Sequence, residues 1–373
     1  MRPSPSRHRY LHKFYGAQVR TGSRSPKTLE YALNFTYLFA GLASLLMPLT
    51  LFRLPMTTQK TPCTQQKPLQ VAVGVVKNSA DQVLISLRDE AAHQGGLWEF
   101  PGGKIEEGET AGQALQRELR EELDITVMAS TPLITINHQY PGLAVELKVF
   151  LVDQFAGHAK SCEGQAFKWV AANELAHYAF PKANRPIIAA AQLPSCYAIL
   201  DMADEPMLLI NLQKILAKGI TLVQARLKNL SGEAVGRFIE AAYPLCRQYG
   251  ALLLMNSAVA CVDAHVDGIH LTSRDLLATH KRPENCRWLA ASCHNLADLQ
   301  HAEKIGADFA VLAPVLATQT HPGVTGLGWQ QFTELVAQAN LPVYALGGMQ
   351  LAHLKTARFA GGQGIAAIRA FLD

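Results

Sequence analysis

Eight short apolar segments follow one another in the second half of the chain, and this repetition limits the fold more than any other feature. Stretches with the apolar spacing of helices separate them. Eight such units within about 175 residues are typical of a compact (β/α)8 barrel, whose functional residues gather at the C-terminal ends of the strands. The strand candidates are Tyr197–Leu200, Thr221–Arg226, Leu252–Met255, Gly268–Leu271, Trp288–Ala291, Phe309–Ala313, Val343–Leu346 and Gly364–Ile368.

The preceding region has a different pattern. Leu69–Val76 reads as a buried strand, and Gln82–Leu87 is predicted to pair with it across the polar turn Asn78–Asp81. An amphipathic helix is predicted over Ala111–Leu123, with Thr110 as its N-cap. The chain therefore divides into an N-terminal extension over residues 1–68, an α+β domain over 69–194 and an α/β barrel over 195–373. The link at Ala189–Ser195 is short, which predicts fixed domains.

Three acidic residues of this helix are candidates for metal binding. Glu118, Glu121 and Glu122 are spaced three and four residues apart and so share one helix face. Like charges at this spacing destabilise an isolated helix by about 0.2–0.5 kcal/mol per pair. Clustered carboxylates suit Mg²⁺, which takes few carboxylates, several waters and phosphate oxygens. Arg117 and Arg120 balance part of the charge, so an ordinary solvated face is the alternative.

The first 55 residues carry eight Lys or Arg and one acid, whereas the other 318 residues have a net charge of −3. Within this extension, Tyr31–Phe52 is an apolar run of 22 residues. Three interpretations stay open: translation starts at Met56, the run is a membrane anchor, or it belongs to a targeting peptide. Unless residues 31–52 are an anchor, the expectation is a cytoplasmic protein without a membrane partner.

Composition excludes several classes of protein. Apolar residues make up 49% and charged residues 17%, which excludes a disordered chain or a coiled coil. A body at −3 exerts no general attraction on a phosphate backbone, so a nucleic-acid polymer is not expected as a partner. The seven cysteines lack CxxC spacing, which favours reduced thiols over a zinc or redox site.

A string of fixed spacing runs from Gly103 through Glu109 to the segment Arg117–Ile125, and it resembles the Nudix box. The box normally ends in Gly where this chain has Asp124, a residue that tolerates the left-handed helix end. The segments VAVGVV, LWEFPGGKIEEGET and FPKANRP are similar to MutT-type enzymes, across about Leu69–Pro194. This resemblance implies an α/β/α sandwich with a mixed sheet.

The resemblance also implies a site. Glu118, Glu121 and Glu122 would hold Mg²⁺, with Mn²⁺ as an alternative ion, and the Gly102 carbonyl would be a further ligand. Glu163 would complete the metal site and help to activate water. Arg117 and Glu109 would form an ion pair that orients the helix and its loop. The catalytic and metal-binding candidates are Gly102, Glu118, Glu121, Glu122 and Glu163.

The implied substrate is a nucleoside triphosphate, hydrolysed to the monophosphate and pyrophosphate. Hydrolysis of 8-oxo-dGTP would keep the oxidised base out of DNA. Arg88 would meet the phosphates, and the Asn184 amide would read a purine edge, because an amide both donates and accepts. Asn184 before Arg-Pro is also ordinary turn chemistry. Phe100 and Phe180 would flank the base, or belong to the core.

The barrel segment resembles thiamine phosphate synthase and its relative TenI across nearly all of Cys196–Asp373. Polar residues follow most of the strand candidates in the pattern of that family. The candidates for binding a small phosphate ligand are Gln224, Arg226, Lys228, Asn256, Asp275, Ser292, Thr318, Thr320, Gly347 and Gly348.

Three departures from the synthase and TenI patterns predict a degenerate barrel site. Ser257 stands where the synthase has a carboxylate for Mg²⁺ and diphosphate, and His321 replaces a lysine. TenI tautomerases use a histidine where this chain has Ala313-Pro314. Loss of a carboxylate and a fixed cation weakens a magnesium–pyrophosphate site, since each charge-assisted contact is worth about 1.5–3 kcal/mol.

The other histidines of the barrel have no ligand spacing and are expected to be structural or exposed. They are His265, His270, His294 and His301. The alternative to nucleotide sanitation is a thiamine-pathway protein. In that case the first domain hydrolyses another diphosphate, and the barrel retains synthase or ligand-sensing function.

Overall fold

A computed structural model describes residues 67–91, 94–201, 204–259, 265–318, 323 and 325–372. The N-terminal extension, including the apolar run Tyr31–Phe52, lies outside these residues. Thr64–Asp373 form one compact unit. No helix within the described ranges is long and apolar enough to cross a membrane. The five cysteines that the structure describes are all free thiols, as predicted.

The first half of the described chain contains seven strands and two α-helices. The strands are β1 (Leu69–Val76), β2 (Gln82–Leu87), β3 (Trp98–Glu99), β4 (Gly102–Lys104), β5 (Thr126–Tyr140), β6 (Leu143–Ala156) and β7 (Phe167–Ala171). The helices are α1 (Ala111–Leu123) and α2 (Arg185–Gln192), and 3₁₀ turns occupy Ala172–His177 and Lys182–Asn184. The predicted β1, β2 and α1 are confirmed at the predicted bounds.

These strands form two sheets. One is mixed, in the order β4-β1-β6-β5, with β1 and β6 parallel, and the other is antiparallel, in the order β3-β2-β7. The prediction that β2 pairs with β1 is therefore wrong. Only a single bridge, Lys77 to Val83, joins them before β2 turns away. The reason is that Val83, Leu84 and Ile85 are all fully buried and need apolar neighbours on both faces.

Helix α1 packs against the mixed sheet through its apolar stripe. Ala114, Leu115, Leu119 and Leu123 are fully buried. Leu115 lies directly over Gly74, where an added Cβ would be 3.1 Å from its methyl group. This packing fixes α1 on β1 and turns its acidic face toward β3 and β4.

The second half is a closed parallel barrel, with the eight strands in the circular order β8 to β15. They are β8 (Cys196–Leu200), β9 (Leu222–Ala225), β10 (Leu252–Asn256), β11 (Gly268–Leu271), β12 (Trp288–Cys293), β13 (Phe309–Leu312), β14 (Val343–Ala345) and β15 (Gly364–Ala367). Each predicted strand is confirmed within two residues of its predicted bounds.

Helices surround the barrel in the expected alternation. They are α3 (Glu205–Ala217), α4 (Gly232–Gln248), α5 (Ser273–Ala278), α6 (Leu296–Lys304), α7 (Gly328–Val336) and α8 (Leu354–Phe359), with a 3₁₀ turn at Leu351–His353. Inside the barrel, the rings of Tyr197, Phe309 and Tyr344 contact one another with centroids 5.4–5.7 Å apart. The predicted link at Ala189–Ser195 is shorter than expected, because α2 continues to Gln192.

Candidate active site

Both ends of α1 are fixed by side-chain contacts. Thr110 accepts a hydrogen bond from the N–H of Gln113 (3.3 Å), and Gln113 Oε1 accepts one from the N–H of Thr110 (2.8 Å). This capping box satisfies N–H groups that the first turn leaves unbonded. At the other end, Asp124 is left-handed (φ 55°) and pairs with Lys160 at 2.8 Å. The predicted N-cap and left-handed turn are confirmed.

Arg117 joins the preceding loop to α1. Its guanidinium donates to Glu109 at 2.7 Å and to the carbonyl of Lys104 at 3.0 Å, which confirms the predicted ion pair. It also contacts Glu118 at 2.8 Å and Glu121 at 3.3 Å. The hydrogen bond to Glu109, followed by that to Glu118, raises the pKa of Arg117 further, so the group stays charged.

Glu122 lies at the centre of a group of acidic residues. Its pKa is raised to about 8, first by burial and then by the carboxylates of Glu99, Glu118 and Glu163. The N–H of Gly102 donates to the Glu122 carboxylate and opposes this shift. Glu122 Oε2 is buried, and no described group forms a hydrogen bond with it. Such a carboxyl needs a proton or a nearby cation.

Glu163 reaches this group from a loop that docks on the C-terminal end of α1. The N–H of Cys162 and Nε2 of Gln165 both donate to the carbonyl of Glu122, at 2.9 and 3.2 Å. They satisfy a carbonyl that the helix end leaves free. The structure thus places Glu118 and Glu163 near enough to Glu122 for their charges to raise its pKa, whereas the Glu121 side chain is 56% exposed and faces Arg117.

Glu99, in β3, is a member of the group that sequence reasoning did not single out. Burial raises the pKa of Glu99, and its partner Arg88 opposes the shift. The Arg88 guanidinium bonds directly to the Glu99 carboxylate, so a phosphate would compete with Glu99 for Arg88. A sequence signal existed, because Glu99 is the sole acid in the apolar segment Leu97–Phe100.

No group of three or more His, Cys, Asp or Glu side chains among the described residues is close enough to hold a metal ion. Glu118 and Glu121 contact Arg117 instead. The chemistry of the donors nevertheless fits Mg²⁺ or Mn²⁺, because Oε2 of Glu122 is buried without a hydrogen-bond partner and the charges of Glu99, Glu118 and Glu163 act on this carboxyl.

Two glycines of β4 let the backbone approach β1 and α1. Gly102 has φ 145°, and a Cβ there would lie 2.1 Å from the carbonyl oxygen of Ala72. A Cβ on Gly103 would lie 2.2 Å from the carboxylate of Glu118. Any larger residue at position 103 therefore displaces Glu118.

Asn184 lies at the start of α2 and is only 8% exposed. Its side chain makes no capping hydrogen bond to α2, so the alternative of simple helix-end chemistry does not account for its amide. Phe100 and Phe180 stack on each other with centroids 5.3 Å apart, which leaves no room for a base between them. Phe100, at 3% exposed, fits the core alternative, whereas Phe180 is half-buried and its flanking role stays a prediction.

A cavity of about 810 Å³ opens at the C-terminal ends of the barrel strands. The charged side chains in its described lining are Arg226, Lys228 and Arg369, and no Asp or Glu is among them. This charge pattern favours an anionic ligand. Eight of the ten predicted barrel residues line the cavity: Gln224, Arg226, Lys228, Asn256, Ser292, Thr318, Gly347 and Gly348.

The loop after β14 requires glycine at two consecutive positions. Gly347 and Gly348 have φ values of 100° and 63°. A Cβ on Gly347 would be 2.8 Å from Pro314, and one on Gly348 would be 2.6 Å from the carbonyl of Ala317. The backbone of this loop is thereby presented to the cavity, as in barrels that bind phosphate through glycine amides.

A buried polar network crosses the barrel beneath this cavity. Gln224 Nε2 donates to Tyr197 Oη (3.1 Å), which bonds His270 Nδ1 (3.0 Å), and His270 Nε2 bonds Ser292 Oγ (2.8 Å). Burial, followed by Arg226, lowers the pKa of His270 to about 3, so the ring is neutral. His270, expected to be structural or exposed, is buried and also lines the cavity.

Two predicted barrel residues are not placed in the cavity. Asp275 is not part of the described lining, and its carboxylate accepts hydrogen bonds from the hydroxyl groups of Ser257 and Thr272, so its role in ligand binding stays a prediction. These bonds lower the pKa of Asp275. Thr320, together with His321, lies outside the described residues. Arg226 does line the cavity, and it is paired with the buried carboxylate of Asp201.

Comparison with known proteins matches the two halves separately. The sequence profile of the NUDIX domain matches residues 72–190. The 8-oxo-dGTP diphosphatase of Escherichia coli is 39% identical over 123 residues, which are 33% of this chain and 95% of that protein. The CTP pyrophosphohydrolase of Escherichia coli is 32% identical over 124 residues, which are 33% of this chain and 91% of that protein.

The profile described as thiamine monophosphate synthase matches residues 196–371. A relative in Aquifex aeolicus, assigned to the thiamine-phosphate synthases, is 34% identical over 185 residues. These residues are 49% of this chain and 100% of the relative.

Proposed function

The chain belongs to the Nudix hydrolases through residues 72–190 and to the thiamine monophosphate synthase family through residues 196–371, and from this premise we propose its function. The Nudix half hydrolyses a nucleoside triphosphate to the monophosphate and pyrophosphate, and its preferred substrate is 8-oxo-dGTP. The barrel binds a small phosphate-bearing ligand.

The acidic group around Glu122 carries the first proposal. Glu118, Glu122 and Glu163 would hold Mg²⁺ or Mn²⁺, which neutralises phosphate charge and activates water when bound. Arg117 keeps the loop that ends at Glu109 against α1 and so fixes the direction of these carboxylates. Arg88, which pairs with Glu99 of this acidic group, supplies a cation for a substrate phosphate.

Base selection depends on Asn184. Asn184 is only 8% exposed and its side chain is not used as a helix cap, so its amide is suited to a base edge with one donor and one acceptor. The two Escherichia coli relatives act on different bases by name, so identity alone does not select between them. The edge of cytosine also has one donor and one acceptor, so CTP is the competing substrate that the assay must include.

Pyrophosphate release by the full chain tests this proposal. The substrates are 8-oxo-dGTP, dGTP, CTP and thiamine diphosphate, each with Mg²⁺, and the variant is Asn184→Ala. We expect the highest kcat/KM for 8-oxo-dGTP and loss of the preference over dGTP in the variant. A preference for CTP would overturn the base assignment. Faster turnover of thiamine diphosphate would favour the alternative of a thiamine-pathway protein.

The charge of the barrel cavity carries the second proposal. Its described lining has three cationic side chains and no carboxylate. The nearby Asp275 carboxylate accepts a hydrogen bond from the hydroxyl of Ser257. A ligand is therefore bound through direct contacts to cations and glycine amides, without a bridging metal. Titration calorimetry with inorganic phosphate and with pyrophosphate, in Mg²⁺ and in a chelator, tests this. Binding that requires Mg²⁺, or synthase activity, would overturn it.

A further inference from the structure

Helix α2 belongs to both halves of the molecule. Ile187, Ala190 and Ala191 pack into the apolar core of the hydrolase half. Ala189, on another face of the helix, and Leu193, just beyond its end, pack with the aromatic residues at the N-terminal end of the barrel. A shift of the barrel would therefore move α2, including its first residue, Arg185, which directly follows Asn184.

The barrel holds the C-terminal end of α2 through buried hydrogen bonds. Gln363 is 1% exposed, and its Nε2 donates to the carbonyls of Ala190 (3.1 Å) and Leu193 (2.8 Å). Tyr344 Oη donates to the carbonyl of Pro194 at 2.5 Å. These bonds satisfy carbonyls that the last turn of a helix leaves free. The end of α2 is therefore capped by residues about 150 or more positions away.

The barrel also contacts the N-terminal end of α2. Arg185 Nη2 donates to the carbonyl of Gly306 at 3.3 Å and lies 3.8 Å from Asp308. Nearby, the N–H of Asn137 in β5 donates to Asn340 Oδ1 at 2.7 Å. A cavity of about 200 Å³ separates the 3₁₀ turn Lys182–Asn184 from these barrel loops. The turn is therefore located by a few polar bonds and by α2, and not by close packing against the barrel.

We propose that the barrel is a positioning body for base recognition, with Gln363 as the principal positioning residue and Arg185 as a second one. The inference rests on the proposed role of Asn184 in the Nudix reaction. Gln363 touches no substrate and acts by fixing α2, and thereby the Asn184 amide. Helix α1, which bears the carboxylates, packs on β1, β4 and β5 of its own half. The barrel also packs on β5 through α8, but only α2 leads directly to Asn184, so we expect the barrel to act on nucleotide binding more than on the chemical step.

The test replaces the Gln363 donor in the full chain. Gln363→Met keeps the side-chain length and removes both hydrogen bonds, and Gln330→Met, at an exposed site on α7, is the matched control. We expect KM for the preferred nucleotide to rise about tenfold with kcat nearly unchanged, because small displacements of a positioning group cost this much or more. Arg185→Ala, at a largely exposed site, should change KM in the same direction by a smaller factor.

A double-mutant cycle with Asn184→Ala separates positioning from a general structural effect. If Gln363 acts through Asn184, Gln363→Met adds no further change in KM when Asn184 is already alanine. Additive changes, a fall in kcat, or an unchanged KM in a folded variant would each overturn the inference. The cycle is measured with whichever nucleotide the wild type prefers. A preference for CTP would therefore overturn the proposed substrate, but the cycle would still test whether Gln363 positions Asn184.

Discussion

The acidic group around Glu122 in the hydrolase half and the cavity of the barrel both suit phosphates, but their charges are opposite. The acidic group consists of Glu99, Glu118, Glu122 and Glu163. The described lining of the barrel cavity instead has cations and no acid. An acidic group attracts a phosphate only through a cation between them, whereas a cationic cavity binds it directly.

This difference in charge indicates that the acidic group of the hydrolase half is suited to catalysis and the barrel cavity to ligand binding. Acids near one another raise one another's pKa and cost stability, so such a group indicates a functional site. In the barrel, Ser257 donates to the Asp275 carboxylate and Asp201 is paired with Arg226, and the described lining has the contacts of a simple anion site. The comparison predicts that metal dependence is confined to the hydrolase half.

The largest expected effect on activity comes from substitution of Glu122, at the centre of the acidic group. Glu122→Gln removes the charge and retains the shape, and we expect kcat for pyrophosphate release to fall about 10²- to 10³-fold, as for other electrostatic catalytic groups. Glu107→Gln, at an exposed site in the preceding loop, should leave kcat unchanged. Pyrophosphate binding by the barrel, measured by calorimetry, should be the same in both variants. A Glu122→Gln enzyme with more than a tenth of wild-type activity would contradict the assignment.

The second effect concerns the barrel and its stability toward acid. The folded pKa of His270 is about 3, below the unfolded value of about 6.5, so below pH 6.5 the unfolded chain binds a proton that the folded chain does not. Stability is therefore lost as the pH falls, by about 2 kcal/mol between pH 7 and pH 5 from this group.

Chemical denaturation of the wild type and of His270→Gln at both pH values measures this contribution. Gln has no proton to gain, so the loss between pH 7 and pH 5 should be smaller in the variant by about 2 kcal/mol. Equal losses would mean that His270 is protonated inside the barrel. The cavity would then have a fourth cation at low pH.

The sequence predicts the two halves unequally well. Regular elements with strong periodicity were found at their bounds, such as α1 with its Thr110 cap and the eight barrel strands. The β2 pairing failed because strand pairing depends on what covers each face, which a local pattern does not contain. Glu99 was missed for a similar reason, since a single acid in an apolar segment has no periodic signature.

The barrel site shows a second limit. Its polar residues were predicted from the resemblance to thiamine phosphate synthase, and eight of ten line one cavity. The direction of a side chain was not predictable, however, because Asp275 turns to the hydroxyl of Ser257, a residue 18 positions away in the chain. The neutral, buried His270 likewise depends on partners from three other strands, Tyr197, Gln224 and Ser292.

A smaller effect is expected from a single cation of the barrel cavity. Lys228 is exposed and lines the cavity, so Lys228→Ala should weaken pyrophosphate binding about tenfold through loss of one charge-assisted contact. Lys281→Ala, at an exposed surface pair with Glu284, is the control and should change nothing. A chelator should abolish hydrolysis and leave this affinity unaltered. If the chelator abolishes both, the contrast between the two sites fails.

The smallest expected effect comes from a substitution that makes the barrel site more like the acidic site of the hydrolase half. Ser257→Asp places a second carboxylate beside Asp275, in place of the hydroxyl that now donates to it. Two adjacent carboxylates repel each other unless a cation lies between them, so the variant should be less stable than the wild type in a chelator. Mg²⁺ should then raise its thermal midpoint by about 2–4 °C more than it raises that of the wild type, which corresponds to about 1 kcal/mol in a domain of this size. Ser257→Asn, which has the same size without the charge, should respond to Mg²⁺ no more than the wild type does, through the hydrolase half alone. An equal response in both variants would show that the metal acts only at the hydrolase half, and the charge at position 257 would then not be what distinguishes the barrel cavity from a metal site.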